Sequence, residues 1–181
     1  MQNETKKAYL NKRRIKKILI WASGFTAAIL ITAVSIGWLE WEHQYTSPVP
    51  KNIAHNVSFP VYYPAKKELP PGYTLDLSSF GQPRQNGVNY TVSNSEGQKL
   101  VFSLQPKPSS SALQNFEANY IPLNNSFRTA NGQALIGAYN TKTGIETLVS
   151  LPTNSSTWII ITGPDNINQT QLKQVLSSLK N

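Results

Sequence analysis

The chain has 181 residues, enough for one ordinary domain plus an anchor. Its formal charge of +8 suggests a nucleic-acid partner until the charges are located: six of the eight excess positive charges lie before residue 18, where Lys6, Lys7, Lys12, Arg13, Arg14, Lys16 and Lys17 face only Glu4. The remainder is nearly neutral, with no field to hold a phosphate backbone, so no nucleic acid is expected as partner; the lack of cysteine excludes a disulfide framework, a thiolate metal site and a cysteine nucleophile.

Residues 1–17 read as a basic cytoplasmic tail. The next segment, 18–39, is ILIWASGFTAAILITAVSIGWL, without a charged residue. At about 1.5 Å per residue it makes a helix of roughly 33 Å, enough to cross the hydrocarbon core. Trp21 stands at one expected interface, and Trp38, Trp41 and Tyr45 at the other. The basic flank puts the N-terminus in the cytoplasm and everything after the span outside the cell membrane. The expectation is a single-pass signal-anchor with the lipid bilayer as its first partner. One rival is a cleaved signal peptide, for which Ala33-Val34-Ser35 supplies small residues, although apolar residues continue to Leu39. Another is a pilin-type leader at Gly24-Phe25, which wants a glutamate where Ile29 stands.

Residues 40–57 read as a linker, in which Pro48 and Pro50 stop any continuing helix and His43 and His55 are solvated. From 58 to 181 period-two alternation dominates. Tyr73, Leu75 and Leu77 are expected on one face of a strand. Val88, Tyr90 and Val92, then Leu100, Phe102 and Leu104, predict a hairpin around Asn94-Ser95-Glu96-Gly97. After Pro106 and Pro108, Leu113, Phe116 and Tyr120 at i, i+3, i+7 predict a short helix following Ser109 to Ser111.

Ala134 to Tyr139 is apolar throughout and predicts a strand, with a turn over Asn140 to Gly144. Ile145, Thr147, Val149 and Leu151 share one face of the next strand. Asn154-Ser155 turns the chain into Trp158 to Thr162, apolar on both faces and so expected at the centre of a sheet. The last element is a helix capped by Asn168, with Gln171 completing a capping box and Ile167 and Leu172 spaced as a hydrophobic staple. Leu172, Val175, Leu176 and Leu179 make its apolar stripe, and Lys173 and Lys180 suit its C-terminal half. The fold class is α+β: an antiparallel sheet of about five to seven strands with helices on one face, the C-terminal helix among them. The Asn-x-Ser/Thr sequons at Asn56, Asn89, Asn124, Asn154 and Asn168 follow from a composition rich in these residues.

The stretch 59–80, with Leu69-Pro70-Pro71-Gly72-Tyr73, and the ending 157–180, with Trp158 and the terminal helix, carry a resemblance. The chain resembles uncharacterised single-pass membrane proteins of candidate-phylum bacteria of the Saccharibacteria type, which carry a small extracytoplasmic domain of the Leu-Pro-x-Gly-Tyr kind. That domain is distantly similar to the outer parts of anti-sigma-like and lipoprotein-carrier-like proteins. The resemblance implies a small outer α+β domain and transfers no functional residue. The short tail does not resemble a sigma-binding domain.

Ser177-Ser178-Leu179-Lys180 and Lys142-Thr143-Gly144 imitate two motifs of penicillin-binding enzymes, but in reversed order, without Ser-Asp-Asn, and with Ser177 at an end expected to fray. Glu68, Asp76, Glu96, Glu117, Glu146 and Asp165 are scattered, and no glycine-rich phosphate loop exists. Tyr62, Tyr63 and Tyr73 beside Lys66 and Lys67 form either a ligand-contact patch or core tyrosines next to a solvated loop. No catalytic, cofactor-binding or metal-ligating residue is assigned, and no cofactor is expected. The expected function is non-enzymatic binding of a protein, lipid or wall component at the cell envelope. The alternatives are a sensor or regulatory subunit coupling the outer domain to a membrane partner and, behind it, an envelope enzyme.

Overall fold

Alternating apolar and polar residues become strands of one antiparallel sheet in the computed structural model, which describes residues 47–83, 86–122, 124–142 and 144–181. In chain order the elements are α1 (Lys51–His55), β1 (Tyr63–Pro64), β2 (Thr74–Gly81), β3 (Val88–Ser93), β4 (Lys99–Pro106), α2 (Ser110–Tyr120), β5 (Asn124–Thr129), β6 (Gly132–Thr141), β7 (Gly144–Pro152), β8 (Thr157–Pro164), α3 (Gln169–Ser177) and β9 (Leu179–Lys180). Seven strands run in the spatial order β2-β3-β4-β8-β7-β6-β5, and β1 pairs separately with β9. The tail, the membrane segment expected over 18–39 and residues 40–46 of the linker lie outside the described residues. No helix among the described residues is long and apolar enough to cross a membrane.

The sheet has a core face and a second face. On the core face Tyr90 stands opposite Phe102, Phe102 opposite Ile161, Val149 opposite Ile161 and Ile136 opposite Val149. All five are buried, and Leu172, Val175 and Leu176 of α3 close over them in the same cluster. Each such aliphatic side chain contributes about 1.5–3 kcal/mol relative to an exposed one. β8 is the middle strand of seven, as its two apolar faces predict. Its second face carries Trp158, covered by α2 rather than by α3. The expectation of helices on one face is therefore corrected: α3 and α2 lie on opposite faces. Period two marks both faces of a central strand as apolar, but does not say which helix covers which.

The lead-in turn forms as its residues dictate. Tyr73 N donates to Pro70 O at 3.0 Å, and Gly72 occupies φ +83°, which a side chain would strain. The β3–β4 turn is held by Asn94 Oδ1, which accepts from Glu96 N at 3.0 Å and Gln98 N at 2.9 Å. The Asn168 side chain caps α3, accepting from Thr170 N at 2.9 Å and Gln171 N at 3.2 Å. Gln171 does not close the expected box with its own side chain: its Oε1 accepts from Tyr73 Oη at 3.4 Å. Ile167 and Leu172 are both buried at that end, as a staple requires.

Four further expectations need correction. Leu77 is 60% exposed because the β2–β3 register shifts between Asp76 and Gly81, and Phe80 takes the inward place against Tyr90. Leu179 is buried, but in β9 rather than in the helix, which ends at Ser177. The C-terminal end is fastened: β9 pairs with β1, and Lys180 makes an ion pair with Glu68. Finally, the compact unit begins at Pro48, inside the segment read as linker. Val49 and Ile53 are buried in the core with Phe59 and Tyr62. Pro50 immediately precedes the first turn of α1.

Candidate functional site

α2 begins where Ser109 Oγ accepts from Ala112 N, and its apolar positions turn toward the sheet. None of its residues is fully buried, so it rests on the second face by a few specific contacts. Trp158 Nε1 donates to Ser150 Oγ at 3.0 Å, and Ser150 Oγ donates to Glu117 Oε1 at 2.9 Å. This relay satisfies an indole and a hydroxyl that the fold removes from water. It also fixes the helix over β7 and β8.

Beside the relay runs a row of four aromatic rings. The Phe116 ring meets Trp158 edge-on at 4.8 Å and 87°, and meets Tyr120 at 4.9 Å. Tyr120 in turn meets Tyr139 of β6 at 5.7 Å and 65°. Edge-to-face contacts of this kind add roughly 0.5–1.5 kcal/mol beyond burial. The row passes from the buried Trp158 to Tyr120, which is 43% exposed, and Tyr139, which is half-buried. Glu146 stands opposite Tyr139 in the strand register. A partly wet aromatic surface with a carboxylate beside it can bind.

Two recesses open elsewhere. One, of 210 Å³, is lined by Asn125, Ile136, Gly137, Ala138, Glu146, Thr147, Asp165 and Gln169. The β7–β8 register sets Glu146 opposite Pro164, and so brings it near Asp165. The other, of 550 Å³, is lined by Arg128, Thr129, Ala130, Gly132, Gln133 and Asn154. The lining of the first mixes polar and apolar groups, and that of the second is largely polar.

The residues that imitate catalytic motifs do not assemble. Ser177 is exposed and its hydroxyl donates to Lys173 O at 3.0 Å, while Lys180 is drawn to Glu68. Lys142 and Gly144 sit in the β6–β7 turn, and Thr143 lies outside the described residues. The carboxylates are dispersed: Glu68 is ion-paired, Glu117 accepts from Ser150, and Asp76 holds the β2 irregularity. The two donors of Ser78, side chain first and then backbone, lower the pKa of the exposed Asp76 carboxyl below its ordinary range. Among the described residues no group of three or more His, Asp or Glu could hold a metal ion. His55 is exposed at the end of α1, and His43 lies outside the described residues.

The tyrosine patch resolves into core tyrosines. Tyr62 and Tyr73 are buried, while Lys66 and Lys67 are exposed. Burial raises the pKa of Tyr73, partly countered by the Asn94 side chain. The aromatic row was not legible as a site: Phe116 and Tyr120 read as one helix stripe and Tyr139 as part of an apolar strand. Only the crossing of α2 over the sheet brings them together. The chain matches no family model, no curated protein and no solved structure.

Proposed function

We propose that this chain is a membrane-tethered, non-enzymatic outer domain that binds a protein of the cell envelope through the α2 side of its sheet. The observation that carries this reading is the aromatic row, which runs from the buried Trp158 out to the exposed Tyr120 and half-buried Tyr139. Tyrosine offers a large, stiff, amphipathic contact, and such residues concentrate binding energy at protein interfaces. The row lies on the face opposite the Pro48–Tyr63 segment, which crosses the core face and is held there by Tyr90 Oη donating to Tyr62 O at 2.9 Å and Thr157 Oγ1 donating to Pro60 O at 2.8 Å.

A protein is favoured over an acyl chain because the junction of α3 and the sheet is filled by Leu172, Val175 and Leu176, and because the larger recess is polar-lined. The apolar stripe of the C-terminal helix is buried, so it offers no docking face to a sensor's membrane partner. Tethering rests on the uncharged segment 18–39 and its basic flank. The test is affinity capture of the full-length protein from membranes, comparing the natural chain with Tyr120→Ala/Tyr139→Ala. Two interface anchors at about 2 kcal/mol each amount to roughly a thousandfold loss of affinity, so the co-purifying protein should vanish from the variant. Equal recovery from both would sink the reading.

A further inference from the structure

The two outer edges of the seven-stranded sheet are built differently. The β2 edge is broken: its register shifts between Asp76 and Gly81. There, Ser78 N and Oγ both donate to Asp76 Oδ1, and Ser79 Oγ donates to Asp76 O while accepting from Thr91 N. A bulged edge of this kind resists pairing with another chain. Among the described residues β5, at the other edge, shows no such bulge. It holds six consecutive pairs with β6, from Asn124↔Gly137 to Thr129↔Gly132, without a shift and without proline. Asn125, Ser126 and Arg128 are exposed. Its turn is braced, since Asn131 Nδ2 donates to Leu179 O at 2.8 Å and Asn154 N donates to Asn131 O at 2.6 Å. A straight, braced edge without a bulge is a template for a further strand.

We infer that β5 pairs antiparallel with β5 of a second copy of this chain, joining two sheets into one across a two-fold axis at Ser126. The strand's residues and the symmetry of the pairing both suit this occupant. In that register Ser126 faces Ser126 of the other copy, and Arg128 faces Asn124. The single cation of the strand therefore never meets itself, and like charges directly opposite would oppose pairing. An isologous contact also closes on itself and leaves no open edge to propagate. Lastly, antiparallel edge pairing relates the copies by an axis perpendicular to the sheet, so the core faces of both copies look the same way. The Pro48–Tyr63 segment lies on that face in each copy. The two Pro48–Tyr63 segments thus lie on one side of the joined sheet, as suits two copies anchored in a single bilayer, and both α2 faces share the other side. This last argument rests on the membrane-anchor reading; the first two do not.

The natural chain has no cysteine, so one introduced thiol reports one position. Facing residues in an antiparallel pair have Cα atoms about 4.5–5.5 Å apart, within the span of a disulfide. The full-length Ser126→Cys protein, oxidised in membranes, should give a disulfide-linked dimer, whereas Ser78→Cys on the bulged edge should stay monomeric. Cross-linking at Ser78 equal to that at Ser126, or none at Ser126, overturns the inference. Sedimentation in detergent supplies the second measurement. Ser126→Lys, an exposed change that sets two ammonium groups face to face, should turn dimer into monomer, and a retained dimer mass overturns it. Tyr120→Ala should leave the Ser126→Cys cross-link intact, which separates failure of this contact from failure of the α2 surface.

Discussion

Tyr90 shows how one side chain ties the fold to pH. Its ring stacks on Phe102 at 4.6 Å and 13°, and its hydroxyl holds the Pro48–Tyr63 segment through Tyr62 O. Burial raises its pKa well above the ordinary 10.0, because the anion would lose its hydration. A raised folded-state pKa favours the neutral form, so this contribution is complete below about pH 10 and is lost as pH rises through the folded value. Tyr73 shifts in the same direction. Ultraviolet titration should therefore show Tyr90 ionising together with unfolding, in one cooperative step above about pH 10. A tyrosinate that appears at Tyr90 while the sheet signal persists would contradict its burial. Asp76 works from the other end: its carboxyl is lowered, so its contribution is present above the ordinary carboxylate range and is lost as pH falls through the folded value.

Among the described helices, α3 carries the most burial for its length. Leu172, Val175 and Leu176 are fully buried, and Asn168 satisfies two backbone donors at its start. Leu176→Ala should cost about 2–5 kcal/mol, since it leaves a cavity against the sheet. Asn168→Ala should cost about 1 kcal/mol, since it removes only a cap. The exposed Gln174→Ala should stay within roughly 0.5 kcal/mol. Urea midpoints of the three variants should fall in that order, and equal midpoints for Leu176→Ala and Gln174→Ala would show the stripe is not holding the sheet. α2 presents the contrast. With no fully buried residue it depends on the Glu117–Ser150–Trp158 relay and the Phe116 contact, so it is the helix expected to exchange its amide hydrogens first.

For the whole molecule, the boundary at Pro48 has a measurable consequence. Val49 and Ile53 are buried beyond the start expected at Ser58. A fragment 58–181 should be less stable than 48–181, by up to about 3–6 kcal/mol if each residue contributes a normal aliphatic burial. Equal urea midpoints would mean that α1 adds nothing to the core. The proposed topology has its own check. Under it, protease added to intact cells stripped of wall should digest residues beyond Pro48 and spare 1–17, the basic flank that the charge bias assigns to the cytoplasm. Digestion of the tail alone would reverse the orientation, and a mature chain beginning at Ile36 would replace the anchor by a cleaved signal.

What the sequence determined by itself is whatever is encoded between near neighbours. The β3–β4 hairpin, the turn at Gly72, the cap at Asn168 and the central place of β8 follow from alternation, turn chemistry and capping. Each of these is a preference of a few consecutive residues. What only the tertiary structure decided is how those surfaces meet. β5 escaped notice because Asn124–Thr129 holds one apolar residue, Phe127, and is a strand only because β6 lies beside it. Leu77 turned outward because a side-chain bond from Ser78 to Asp76 overrode period two. Val49 and Ile53 looked like linker because two buried residues among polar ones form no period. The aromatic row and the two unlike edges, where function is proposed, are contacts between residues far apart in the chain. No local pattern carries them, because their free energy exists only once distant surfaces have excluded water from one another.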